Sequence, residues 1–170
     1  MEETKSSWPR TLTQGGKTFK GRVDNPVVFR AYMMVKMPTL GITGAYIEDI
    51  DVTTSKVALP YSWGVKNLFG RGSTAAAVAA AEAAAVSLLV LNVRNQGASL
   101  TAHVRSLAIK TVAEVDEEIL FECEDGPSYA QFVADAAESG KETWELSVVG
   151  HTRGGTLTHR VDIIWELAAK

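Results

Sequence analysis

The stretch Ser73–Leu91, STAAAVAAAEAAAVSLLVL, limits what this chain can become more than any other feature. Alanine is the strongest helix former, so the run reads as one long helix. Its apolar side chains cover every side, and a helix apolar all round is either buried in a core or spans a membrane. The length suits a membrane. The composition does not. Most of the run is alanine, which is only mildly apolar, and Glu82 sits in its middle, where hydrocarbon penalises an acidic residue by roughly 2.5–3.5 kcal/mol. The run is therefore expected to be a core helix rather than a membrane span. Small side chains let other elements approach its backbone closely from several directions.

The flanking segments supply those elements. Tyr46, Glu48, Ile50 and Val52 alternate with Ala45, Ile47, Asp49 and Asp51, the period of a strand. Val57, Leu59 and Tyr61 share one face of a second strand. Ser99–Thr111 is rich in β-forming residues. Ala113, Val115, Ile119, Phe121 and Cys123 face one way, with Glu114, Asp116, Glu118 and Glu122 on the other, as in a strand with one wet face. Gly126-Pro127-Ser128 breaks that strand and starts a short helix, Tyr129–Glu138, closed by Gly140. Trp144, Leu146 and Val148 belong to a fifth strand, Arg153–Thr156 to a hairpin turn, and Leu157–Leu167 to a sixth strand. Strands joined by short turns pair antiparallel. Six of them with a single long apolar helix give an α+β fold, a curved antiparallel sheet wrapped around one central helix.

At the N-terminal end, residues 1–24 are polar and hold Gly15, Gly16 and Gly21. They read as a flexible arm with few apolar anchors beyond Trp8, whose removal is expected to leave the fold intact. Residues 25–170 read as a single domain. Asn25-Pro26 starts a helix that carries Val28, Phe29, Tyr32, Met33 and Met37, and Pro38 and Gly41 stop it.

Several function classes drop out. The 170 residues have a formal net charge of −3, whereas a protein that grips nucleic-acid phosphates is normally basic. The lone Cys123 excludes an internal disulfide and any multi-cysteine metal site. His103, His151 and His159 have no metal-ligand spacing, so no metal and no cofactor are expected. The polar N-terminus lacks the apolar core of a signal peptide, which makes the cytoplasm the expected compartment.

Glu82 carries the chemical interest. A carboxylate in an alanine-lined helix is costly to bury when charged, and burial raises its pKa toward the range of a general base. Two other readings stay open, a pairing with a basic residue and a place in a dimer seam.

The stretch Asn67-Leu68-Phe69-Gly70-Arg71-Gly72-Ser73-Thr74-Ala75, continuing to Glu82, resembles the central-helix motif of hotdog acyl-CoA thioesterases. In that family an Asn precedes the helix, a Gly follows at plus three, His-Gly-Gly opens the helix, and an acidic residue lies fifteen after the Asn. Here Gly70 is at plus three from Asn67, and Glu82 is fifteen residues on. The chain is also similar to a thioesterase-like branch with an N-terminal helix, an alanine-rich central helix and an extra helix before the final hairpin. The resemblance spans about Pro26 to Leu167. It implies the hotdog fold and hydrolysis of an acyl thioester, acyl-CoA being the usual substrate.

On that basis Glu82 is the base or nucleophile, Asn67 positions the substrate carbonyl or the water, and the Thr74 N–H is the oxyanion donor. Gly70, Gly72, Ser73 and Thr101 are expected near the substrate, with Ser99 an alternative to Thr101. Ser73-Thr74-Ala75 stands in place of His-Gly-Gly, a departure that motivates a second reading, a non-catalytic module that binds acyl-CoA or lipid. A hotdog dehydratase ranks last, because it needs a His paired with an acid at the pocket and none is expected near the start of the helix. Arg71 and Arg94 are weaker candidates for a nucleotide phosphate, His103 reads as an ordinary strand residue and Cys123 as a buried one. The unpaired edge of an open sheet and the resemblance both point to a homo-oligomer, a dimer or a dimer of dimers, with sites at the subunit interface.

Overall fold

The computed structural model describes residues 11–23 and 25–170; Trp8 lies outside them. Its axis is helix α4 (Thr74–Gln96). Ala80, Ala81, Ala84, Ala85, Leu88 and Leu91 are fully buried. Gly97 ends the helix at φ 68°, where its N–H and that of Ala98 reach back to the carbonyls of Arg94 and Val93 and satisfy the last turn. By length and composition α4 is apolar enough to cross a membrane, but two-thirds of its most apolar window is buried inside this fold, as the central Glu82 predicts.

A six-stranded antiparallel sheet curls around α4 in the order β1-β2-β4-β5-β6-β3. Its strands are β1 (Tyr46–Ile50), β2 (Ser55–Leu59), β3 (Leu100–Thr111), β4 (Ile119–Cys123), β5 (Lys141–Thr152) and β6 (Leu157–Ala169). Val57, Phe121, Val148, Val161 and Ile163 are buried on the face toward α4. Helix α5 (Gly126–Ser139) packs on α4 and β5, and Tyr129 sets its ring edge-on to Trp144 at 4.8 Å. The two open edges are β1 and β3. Among the described residues strand β3 pairs only with β6, and Ala102–Ser106 along it are exposed.

Helix α2 (Pro26–Lys36) begins as expected, with the Asn25 side chain accepting N–H bonds from Val27 and Val28. Helix α2 ends at Lys36, just before Pro38 as expected, but Pro38 does not end helical structure. It opens α3 (Pro38–Thr43), because a proline at the first helical position gives up an N–H that has no helical partner there. The expected strand from Ala113 is shorter, and β4 starts only at Ile119.

The N-terminal arm needs a larger correction. Residues 14–23 form helix α1 (Gln14–Val23) against the C-terminal end of α4. Thr13 gives its N–H to Asn95 Oδ1 at 2.6 Å and its hydroxyl to the Asn95 carbonyl at 3.0 Å. Lys20 Nζ donates to the Ile50 carbonyl at 2.7 Å. Two of the three glycines that suggested looseness, Gly15 and Gly16, are contact points. A Cβ on Gly15 would lie 2.6 Å from the Arg94 carbonyl, and one on Gly16 would lie 2.6 Å from Asn95 Oδ1. Removing residues 1–22 is therefore expected to destabilise the protein. It strands the buried Asn95, takes away the packing of Phe19 on the core and uncovers apolar surface at Val23, which together cost about 3 kcal/mol, or a drop of about 6–12 °C in a thermal melt.

Candidate active site

The loop from Ser62 to Ser73 delivers the chain to the start of α4. Val65 is buried, and its carbonyl accepts the Ser73 N–H at 2.7 Å. Between them Asn67 organises a tight turn. Its Oδ1 accepts the N–H groups of Phe69 at 2.9 Å and Arg71 at 3.1 Å, and Gly70 takes φ 75°. Asn67 is thus a turn residue, with its carbonyl oxygen committed to the loop and its Nδ2 left as a donor.

The turn walls a cavity of about 120 Å³ at the N-terminal end of α4. Asn67, Arg71, Gly72, Ser73 and Thr74 all line it, so the structure gathers five of the residues singled out from sequence. Ser73 occupies the N-cap position without using its hydroxyl as a cap. The first-turn N–H groups of α4 therefore lack a capping side chain, and the helix dipole adds to their pull on negative charge. An oxygen that gains negative charge during a reaction is stabilised at such a place.

The cavity also holds residues that the sequence reading did not assign to it. Strand β3 contributes Thr111 and β6 contributes His159. The Thr158 hydroxyl donates to the Gly150 carbonyl at 2.9 Å, so at 3.0 Å from His159 Nδ1 it serves as the acceptor. This puts the imidazole proton on Nδ1 and leaves Nε2 as a lone-pair acceptor. Burial holds the imidazole pKa below its ordinary value, which keeps it neutral. The histidine absent from the start of α4 in sequence is thus supplied by β6 in space. Its bonded partner is a threonine hydroxyl, not the acid that a dehydratase requires. The visible signal was a histidine in register with Val161 and Ile163 on the apolar face of a strand.

The mouth is acidic. Glu114, Asp116 and Glu117 line it, and Arg71 stands 3.6 Å from Glu114 in an exposed pair of little energetic weight. These carboxylates belong to the segment that leaves the sheet before β4.

Glu82 lies elsewhere. It is about 12 Å along α4 from Thr74 and about 130° around the helix from the face that meets the cavity. It belongs to a half-buried stripe with Val78, Val86, Val90 and Val93. Among the described residues none hydrogen-bonds or pairs with its carboxyl, and burial raises its pKa. Gly70 stays at the exposed tip of the loop, its carbonyl accepting the Tyr61 hydroxyl at 3.1 Å. Thr101 bonds the Ala168 carbonyl at 3.1 Å near the start of β3, about 33 Å of strand from the cavity residue Thr111. Ser99 and His103 are exposed near the same end, and Arg94 lies over the Phe19 ring at 5.4 Å. Cys123 is buried, and its thiol is pushed up to about 11 by that burial.

Solved structures with the same arrangement are numerous. A Chlorobaculum tepidum protein of unknown function superposes with a TM-score of 0.74 at 16% identity, covering 95% of this chain and 98% of that one. This is the hotdog fold. A Pseudomonas aeruginosa protein described as a probable thioesterase gives a TM-score of 0.71 at 17% identity, over 86% of this chain and 97% of its own. A Haemophilus influenzae thioesterase gives 0.61 at 10% identity, over 85% and 91%. No family model and no curated protein matches the sequence. At these identities the likeness establishes the hotdog fold, and function rests on the residues.

Proposed function

We propose that the chain hydrolyses an acyl thioester, with acyl-CoA as the substrate class, in a site shared by two copies of the chain. The observation that carries this is Glu82, a half-buried carboxylate that none of the described residues pairs with, in the middle of an apolar stripe that one copy leaves open. Hotdog relatives described as thioesterases support the same reading at a general level.

In the base route Glu82 takes a proton from water, and the water oxygen bonds to the thioester carbon. The carbonyl oxygen becomes an oxyanion beside the Thr74 N–H, with Asn67 Nδ2 as a second donor. Collapse breaks the C–S bond, and the thiolate leaves and takes up the proton. In the nucleophile route the carboxylate itself bonds to carbon, the thiolate leaves, and water opens the resulting anhydride. Either way Glu82 and the start of α4 have to meet on one substrate. Their separation around the helix makes a second copy the natural source of the carboxylate. The three carboxylates at the mouth repel polyphosphate, so the nucleotide end of an acyl-CoA would lie away from Glu114, Asp116 and Glu117.

A homodimer follows from the same surfaces. The exposed edge of β3 needs covering. Beside it, Val86, Val90 and Ala102 border a groove of about 390 Å³. Light scattering at micromolar concentration is expected to give about twice the 18.3 kDa chain mass, and a clean monomer would contradict the shared site.

The second reading is a module that binds acyl-CoA or lipid without turnover. It is favoured by Asn67, whose Oδ1 is spent on its own turn, and by Thr74 where the resembled motif has glycine. Release of free thiol across a panel of acyl-CoAs separates the two. Saturable turnover of at least one chain length is the expected result, and tight binding without thiol release would select the module.

A further inference from the structure

Charge is divided unevenly along this chain. Residues 1–36 hold seven Lys and Arg against three Asp and Glu, whereas residues 37–170 hold ten against seventeen. The basic part includes α1 and α2. Lys17, Arg22 and Arg30 are exposed there, and Arg94 of α4 joins them at the surface. Among the described residues none of the four pairs with an acidic side chain.

Helix α2 is apolar on two sides. Phe29 and Met33 face the core. Val27, Val28, Ala31, Met34 and Val35 fall on an arc of about 120° on the opposite side. Val27 and Val35 are 78% and 77% exposed. A helix apolar on two sides is ordinarily covered on both, and this one is not. Arg30 borders the arc. At one end Arg22 and Arg94 flank a hollow of about 80 Å³ with Phe19, Val28 and Phe29 in its walls. Guanidinium groups beside an apolar hollow suit a ligand with a phosphate head and hydrocarbon behind it.

We propose that the outer face of α2, with Arg22 and Arg30, docks on the surface of an anionic lipid bilayer. The valines and Met34 enter the boundary between headgroups and acyl chains, and the guanidinium groups meet lipid phosphates. Neither signal is enough alone, since five small apolar side chains insert weakly and a few basic residues are screened by salt. Together they make the pair of signals that peripheral binding requires. The acidic remainder of the chain is repelled by the same lipids, which turns the α1–α2 side toward the membrane. A second copy fits this face less well. Self-contact would set arginines against arginines, and α2 packs at β1, the sheet edge opposite the β3 edge assigned to the dimer.

Sedimentation with vesicles tests this on the full chain. The protein is expected to pellet with mixed phosphatidylcholine–phosphatidylglycerol vesicles, to stay in solution with pure phosphatidylcholine, and to be released by added salt. Each basic residue at the surface is worth about fivefold in partitioning, so Arg22→Gln with Arg30→Gln is expected to lower it by about tenfold or more. Val35→Asp, at a site too exposed to affect folding, should do the same with an unchanged thermal melt. Failure to pellet with the anionic vesicles would overturn the proposal, as would equal binding by Val35→Asp and the parent. A loss of oligomer mass in Val35→Asp without lipid would also overturn it and assign the face to a second copy.

Discussion

Glu82→Gln is expected to yield a folded protein whose thioester turnover is lower by roughly 10²–10⁴-fold, the range that loss of a general base costs. Glutamine keeps the volume and removes the charge, so the half-buried stripe on α4 stays filled. Stability should respond in a way that a structural role would not produce. Burial raises the Glu82 pKa above its ordinary value of 4.5. The native state therefore holds the proton more tightly than the unfolded chain. Its contribution is fully present below pH 4.5 and is lost as pH rises through the raised pKa. Glu82→Gln removes that loss, so near neutral pH the variant should melt at or above the parent temperature. If Glu82 instead formed one arm of a buried ion pair in a dimer seam, the substitution would cost about 3–5 kcal/mol and leave turnover per folded molecule unchanged. Thermal melts and thiol release on the same preparation distinguish the two.

Gly126→Val is expected to be the most destabilising single substitution outside the central helix. Gly126 opens α5 and lies against the β1–β2 turn, where its N–H bonds the Thr53 carbonyl at 2.9 Å. A Cβ there would lie 2.1 Å from the Val52 carbonyl oxygen and 2.4 Å from Thr53 Cα. Both are backbone atoms, so no side chain can swing aside. Either the turn or the first turn of α5 has to move, and α5 carries Tyr129 and Val133 into the core. Overpacking of this kind exceeds the usual cost and should reach about 4 kcal/mol, a fall of about 8–16 °C in the melt. Gly21→Ala is the control. A Cβ there meets nothing within 4 Å, and alanine favours the helix by roughly 0.5–1 kcal/mol, so the melt should rise slightly.

The fold was legible where local pattern and tertiary role agree. The alanine run both favours helix and suits a crowded axis, so α4 could be read directly. Period-two alternation located five of the six strands, and β-forming composition located β3. The misreadings arose where a residue type serves two purposes. Gly15 and Gly16 look like loop residues, yet they are small because Arg94 and Asn95 press on α1. Pro38 stops α2 as expected, but it also starts α3, which its type alone does not reveal. Alternation continues through Ala113–Glu118, but the chain turns away from the sheet there and puts carboxylates at the cavity mouth.

The site was legible in part for a similar reason. Asn67, Gly72, Ser73 and Thr74 are neighbours in sequence, and the turn before α4 keeps them neighbours in space. His159 and Thr111 reach the cavity through strand pairing across the sheet, a relation that sequence spacing does not carry. The resemblance to the hotdog motif implies Glu82 as a partner of Asn67. Helical geometry sends its side chain to another face, and this is why the proposed site needs two copies.

Mixing two inactive variants tests that two-copy site most directly. Glu82→Gln removes the carboxylate, and Asn67→Ala removes the donor beside the start of α4. If one copy supplies Glu82 and the other Asn67 and Thr74, a mixed dimer holds one whole site and one doubly broken site. After equal amounts are dissociated and reassembled, half the dimers are mixed, so thiol release should recover to roughly a quarter of the parent rate. A rate no higher than the sum of the two variants measured alone would contradict a site shared between copies.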